Sequence, residues 1–84
     1  MKKIRKKWGD RIYLEWRDAN NDAGWKTYDE AMKIDKEDYL CKTNAFFIGQ
    51  SDGFIVIAHT IGAKKDLDVT GILKIPSAWI IKVK

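Results

Sequence analysis

Residues 11–18, RIYLEWRD, alternate between apolar and polar positions. Ile12, Leu14 and Trp16 fall on one face, and Tyr13, Glu15 and Arg17 on the other. A period of two predicts a half-buried strand. Residues 18–24 follow as a loop, because Asn20, Asn21, Asp22 and Gly24 all suit turn geometry. Thr27 followed by Glu30 fits a capping box, which predicts a short helix over about 28–34. Tyr28, Ala31 and Met32 share the face of that helix expected to pack on the domain. Residues 38–50, DYLCKTNAFFIGQ, read as a long strand. Leu40, Phe46 and Ile48 share a parity that Lys42 and Asn44 interrupt, so a bulge or bend is expected near Thr43 and Asn44. Asp52-Gly53 signals a hairpin turn. Residues 54–61, FIVIAHTI, are apolar on both parities and predict a strand covered on both faces, one of them available to another subunit. A polar loop spans 62–68. A strand over 69–75 stops at Pro76, which cannot donate to a ladder. Residues 79–84 form the last strand, with Trp79, Ile81 and Val83 on one parity.

Five strands, with one short helix after the first, predict a mainly β protein folded as a small, strongly bent antiparallel barrel. The segment GILKIPSAWIIKV near the end resembles the last part of SH3 domains: a strand, a Pro-Ser step, a tight turn around an aromatic, and a final strand. That resemblance implies an SH3-like barrel. It does not extend to function, because the tryptophan pair and acidic loop with which SH3 domains grip proline-rich peptides are not apparent. The expected organisation is a basic N-terminal arm over 1–8 and a single barrel domain over 9–84.

A chain of 84 residues predicts one domain with a modest core. Four tryptophans and a hydrophobic content of 45% argue against disorder. No apolar run reaches the ~18–20 residues of a membrane span. The basic start lacks the apolar stretch of a signal peptide, and one cysteine, Cys41, allows no internal disulfide. A cytoplasmic protein is therefore expected. The net charge of +4 is unevenly spread. Lys2, Lys3, Arg5, Lys6 and Lys7 supply five positive charges, while residues 8–84 carry 11 Lys and Arg against 12 Asp and Glu. Such an arm can grip nucleic-acid phosphates, or be a solvated tail.

The inventory argues against an enzyme. His59 and Cys41 are the single members of their types, so neither a zinc site nor any cofactor is expected. A Cys41–His59 dyad requires their strands to pair closely. Asp18, Asp22, Asp29 and Glu30 are explained by turn and cap preferences, and GAKKD lacks the second Gly and the Lys-Ser/Thr of a phosphate loop. Binding remains. Ten aromatics exceed what a small barrel core holds, and KKWGDRIYLEWR interleaves aromatic with cationic residues, as base stacking with phosphate contacts requires. Trp16 reads as core or stacking, and Trp25 as helix staple or pocket wall. Lys64 and Lys65 are solvated loop residues or line an anion groove.

The pattern of Trp16-x-Asp18, Gly24-Trp25, an acidic helix start at Asp29 and Glu30, Thr43, a hairpin over 52–58, and Ile75-Pro76 with Ile80 resembles a family of small proteins from phages and prophages. It spans residues 12–83. Asn44 and Ala45 depart from the glycine expected after the Thr, and the basic arm is longer. The resemblance implies a compact homo-oligomeric, non-enzymatic protein that counters host defence by sequestering a small anionic nucleotide, such as a cyclic nucleotide immune signal. In this reading Trp25 and Trp16 stack the base. Arg17, Lys64 and Lys65 neutralise phosphates, Asp18 accepts from ribose or adenine, and Thr43 and Asn44 add hydrogen bonds. The alternatives are a nucleic-acid-binding barrel that uses the arm, and an adaptor or inhibitor of a host protein.

Overall fold

The computed structural model describes residues 4–19, 23–63 and 68–84, excluding the side chains of Lys36 and Asp38. The expected mainly β architecture is present. Strands β1 (Arg11–Arg17), β2 (Leu40–Ser51), β3 (Phe54–Ile61), β4 (Val69–Pro76) and β5 (Ile80–Val83) form one antiparallel sheet in the order β4-β3-β2-β1-β5. A short helix, α1 (Tyr28–Ala31), follows β1, and single 3-10 turns occupy Lys36–Tyr39 and Ser77–Trp79. The sheet has β4 and β5 at its two edges and is not closed into a barrel.

The alternation along β1 sets the core. Ile12, Leu14 and Trp16 are buried and stand opposite Ala45, Thr43 and Cys41 of β2. Phe47, Ile55, Ile57 and Ile75 continue the same cluster, and Ile4, Cys41, Ala45 and Ile80 pack around it. Arg11, Tyr13 and Glu15 therefore face the other way, opposite Phe46, Asn44 and Lys42. The irregularity in β2 falls between Phe47 and Gly49, against β3, and not near Thr43 and Asn44, where the β1–β2 register runs unbroken. The interrupted parity of β2 has a different cause: Lys42 and Asn44 lie on the face opposite the core, which bears polar residues.

Asp52 and Gly53, with φ of 52° and 78°, make a two-residue turn that matches the strand twist and pairs Ser51 with Phe54. At the end of β4, Pro76 is followed by the 3-10 turn, and the Ser77 N–H donates to the Gly53 carbonyl at 2.7 Å. This tie joins the β2–β3 turn to the β4–β5 turn. The N-terminal segment is likewise anchored. Gly9 N–H donates to the Phe47 carbonyl at 2.8 Å, and Phe47 N–H to the Asp10 carbonyl at 2.7 Å.

The helix is capped as expected but shorter, four residues. Thr27 Oγ1 accepts from the Glu30 N–H at 3.2 Å and donates to Glu30 Oε1 at 2.9 Å. It does not pack on the sheet as its periodicity suggests. None of its residues is buried, and Tyr28 and Met32 are 78% and 58% exposed. The described residues extend 55 × 25 × 21 Å with a radius of gyration of 15.9 Å, against the ~12 Å of a compact chain this long.

Candidate functional site

Of the eight residues expected to bind ligand, the six described ones do not share one hollow: Arg17 and Asp18 line one, and Thr43 and Asn44 line another. Trp16 is 8% exposed. Its indole N–H donates to the half-buried Thr43 Oγ1 at 3.1 Å across the β1–β2 ladder, so the ring belongs to the core. Trp25 lies beyond the loop and is 100% exposed. Arg17 and Asp18 sit at the end of β1, where with Ile34 and Tyr39 they line a hollow of about 320 Å³. The Asp18 N–H donates to the Tyr39 carbonyl at 2.9 Å, and its carboxylate accepts from the Ala19 N–H at 2.8 Å. Lys64 and Lys65, together with Lys2 and Lys3 of the arm, lie outside the described residues.

Asn44 belongs to a different place, at the other end of β1. There a hollow of about 350 Å³ is lined by Arg11, Ile12, Tyr13, Asn44, Ala45, Phe46 and His59. Strand pairing makes this group. Arg11 stands opposite Phe46 and Tyr13 opposite Asn44 on the non-core face. Arg11 and Arg17 are six residues apart on one strand, ~20 Å at the strand rise, so the two hollows are separate sites.

The electrostatics of this hollow favour an anion. Among the described residues, no carboxylate lines it. The side chains of Arg11 and Asn44 are exposed and make no hydrogen bond to another described residue. The nearest acid on the strand, Glu15, accepts the Tyr13 hydroxyl at 2.8 Å. That hydrogen bond, with some desolvation and the Glu15 charge, raises the Tyr13 phenol above its ordinary 10.0. Lys84 Nζ stands 5.9 Å from the Tyr13 ring centroid, within cation–π range. His59 Nδ1 lies 2.8 Å from Thr60 Oγ1. The site thus offers a guanidinium, an amide and two aromatic faces on a rigid sheet.

Arg11, Tyr13 and Phe46 are members of this group that sequence reasoning did not single out, and His59 was weighed only as a partner of Cys41. The usable signal was parity, since Arg11 and Tyr13 share the face opposite Ile12 and Leu14. The Cys41–His59 dyad does not form. Continuing the β2–β3 register places His59 beside Ala45, four residues and ~13 Å along the strand from Cys41. Among the described residues, no three His, Cys, Asp or Glu side chains gather as a metal site, and no helix is long and apolar enough to cross a membrane. Comparison with known proteins finds no matching family model, no matching curated protein and no matching solved structure.

Proposed function

We propose that this protein is a non-enzymatic binding module whose ligand is a small anionic nucleotide, held on the face of β1 and β2. The observation that carries this reading is the hollow that joins Arg11, Asn44, Tyr13, Phe46 and His59, with no lining carboxylate among the described residues. Its volume, about 350 Å³, falls at the lower end of the range of small-molecule sites and suits one nucleotide unit. The Arg11 guanidinium takes a phosphate in forked geometry. The Asn44 amide offers a donor and an acceptor to a base edge, and Phe46 or Tyr13 supplies an apolar ring for the base. The resemblance to small phage and prophage proteins gives the context: sequestration of a nucleotide immune signal in the cytoplasm of an infected bacterium. Relative to the sequence expectation, the base and phosphate contacts move from Trp16, Arg17 and Asp18 to the opposite end of β1.

A thermal-shift screen against linear and cyclic nucleotides and ADP-ribose derivatives tests the reading. A ligand at ~100 times its Kd adds about 2.7 kcal/mol, which in a domain of this size raises Tm by ten degrees or more. The proposal expects such a rise with at least one nucleotide. No rise across the panel refutes it.

One observation favours a second reading, nucleic-acid binding. The described part of the basic segment, residues 4–7, is anchored. Ile4 packs on the core, its N–H donates to Gln50 Oε1 at 3.2 Å, and the Lys7 N–H donates to Asp10 Oδ2 at 2.8 Å. Arg5 and Lys7 are exposed from that fixed segment. This reading requires affinity for RNA or DNA that falls steeply with salt and is lost when residues 1–7 are deleted.

A further inference from the structure

The long strand β2 changes partners part-way along. Leu40 to Phe46 pair with β1, and Phe46 to Ser51 pair with β3. Among the described residues, the β2–β3 register stops at Phe46 opposite Ala58. Beyond that point β3 stays with β4, with Thr60 opposite Thr70 and Ile61 opposite Val69. A split therefore opens between the first half of β2 and the end of β3.

Strand alternation decides which backbone groups face the split. The N–H and C=O of one strand residue turn to one side, and those of the next residue to the other. Phe47 turns its pair toward the β1 side: its N–H donates to the Asp10 carbonyl, and its carbonyl accepts from the Gly9 N–H. Phe46, Asn44, Lys42 and Leu40 consequently turn theirs the other way. Tyr13 agrees with this assignment. It stands opposite Asn44 yet exchanges both of its bonds with Lys84, on its far side. Phe46 meets Ala58, and the Leu40 N–H donates to the Glu37 carbonyl. Asn44 and Lys42 are left turned to the split, with no strand partner there among the described residues. Of the two, Asn44 borders open space. It lines the hollow of about 350 Å³ and also a smaller one of about 190 Å³, and the two share Asn44, Ala45 and His59.

We infer that the main chain of Asn44 reads the base of the nucleotide, pairing with its Watson–Crick edge in the place a β3 residue would take. This rests on the nucleotide reading and names the group that selects the base. The chemistry matches. In a ladder, a strand residue offers one donor beside one acceptor, and its partner returns an acceptor and a donor. The Watson–Crick edge of a base presents the same complement, a ring nitrogen beside an amino or carbonyl group. Unpaired backbone groups on a strand edge are a template that a partner completes. The stretch is too short for an added peptide strand, because the ladder with β3 closes it at Phe46. Arg11, opposite Phe46, stands two residues further along, so the phosphate and base contacts fall on one ladder. The side-chain amide of Asn44 adds to the base contact and does not supply it alone.

Calorimetric titration of the full chain with AMP, GMP, CMP and UMP tests this. The best binder is compared with its analogue methylated at the Watson–Crick ring nitrogen, N1 of a purine or N3 of a pyrimidine. The analogue keeps the phosphate, the ribose and the ring face. It is expected to bind weaker by about tenfold or more, since it leaves a backbone group unpaired. In the complex with the parent nucleotide, exchange of the Asn44 amide proton is expected to slow by about tenfold or more, while the Lys42 amide keeps its rate. A methylated nucleotide that binds as tightly as its parent overturns the inference and leaves the nucleotide reading standing, because stacking and the phosphate contact then account for the affinity. An Asn44 amide whose exchange is unchanged in the saturated complex overturns it in the same way. Absence of binding by all of these nucleotides overturns it as well, and the thermal-shift panel then decides separately on the nucleotide reading.

Discussion

The indole N–H of Trp16 is a polar group placed in an apolar core, and Thr43 Oγ1 is its partner. Replacing that hydroxyl by a methyl in Thr43→Val keeps the shape and leaves the N–H unsatisfied. The expected loss is about 1–3 kcal/mol, read from urea unfolding, although valine is the better strand former. Gly71 carries a backbone requirement instead. Its φ is 70°, and a Cβ there would stand 2.5 Å from the His59 Cβ. Gly71→Ala is expected to cost about 2 kcal/mol or more, from the left-handed backbone and from a contact that must be relieved by moving β3. Gly49→Ala is the control, because nothing lies within 4 Å of that position; it is expected to change stability far less. Tyr13 gives a pH signature. Its raised phenol pKa means that the folded state holds this proton more tightly than the unfolded chain. The associated stability is present below pH ~10 and is lost as pH rises through the folded value. An absorbance titration should show one tyrosine ionising late, and Glu15→Gln should bring it down.

At the scale of elements, the strands were legible and their partners were not. Period-two alternation marks β1 locally, Asp52-Gly53 marks the β2–β3 turn, and Pro76 marks the end of β4. Each signal lies within a few residues of the structure it specifies. The β1–β2 register is non-local: nothing near Arg11 says that Phe46 will stand opposite. This is why Arg11, Tyr13 and Phe46 were missed as a group, while Trp16 and Trp25, close in sequence, were expected to meet. The cap at Thr27 was legible for the same local reason. What the helix packs on was not, because a hydrophobic face states that it needs a cover but not which molecule supplies it. The helix therefore makes a clean test of independence. Thr27→Ala removes both capping bonds at a usual cost of about 1 kcal/mol to the helix. Since α1 buries nothing on the sheet, hydrogen exchange should quicken over residues 28–32 while the β1–β3 amides keep their protection.

At the scale of the whole molecule, the sheet serves as a rigid platform with two distinct faces of use. One side closes over Ile12, Leu14, Trp16 and Ile57; the other presents Arg11, Tyr13, Asn44 and Phe46 in fixed register. Binding then costs little reorganisation, since no loop must order to form the site. The central claim is that a nucleotide sits at the Arg11 end of β1. The most direct test is amide chemical-shift mapping of the labelled protein during titration with the nucleotide that gives the largest thermal shift. The account predicts saturable changes concentrated at residues 11–13, 44–46 and 59, and their loss in Arg11→Ala and Asn44→Ala. Changes confined to Arg17, Asp18 and Tyr39, or none at any nucleotide concentration, would contradict it.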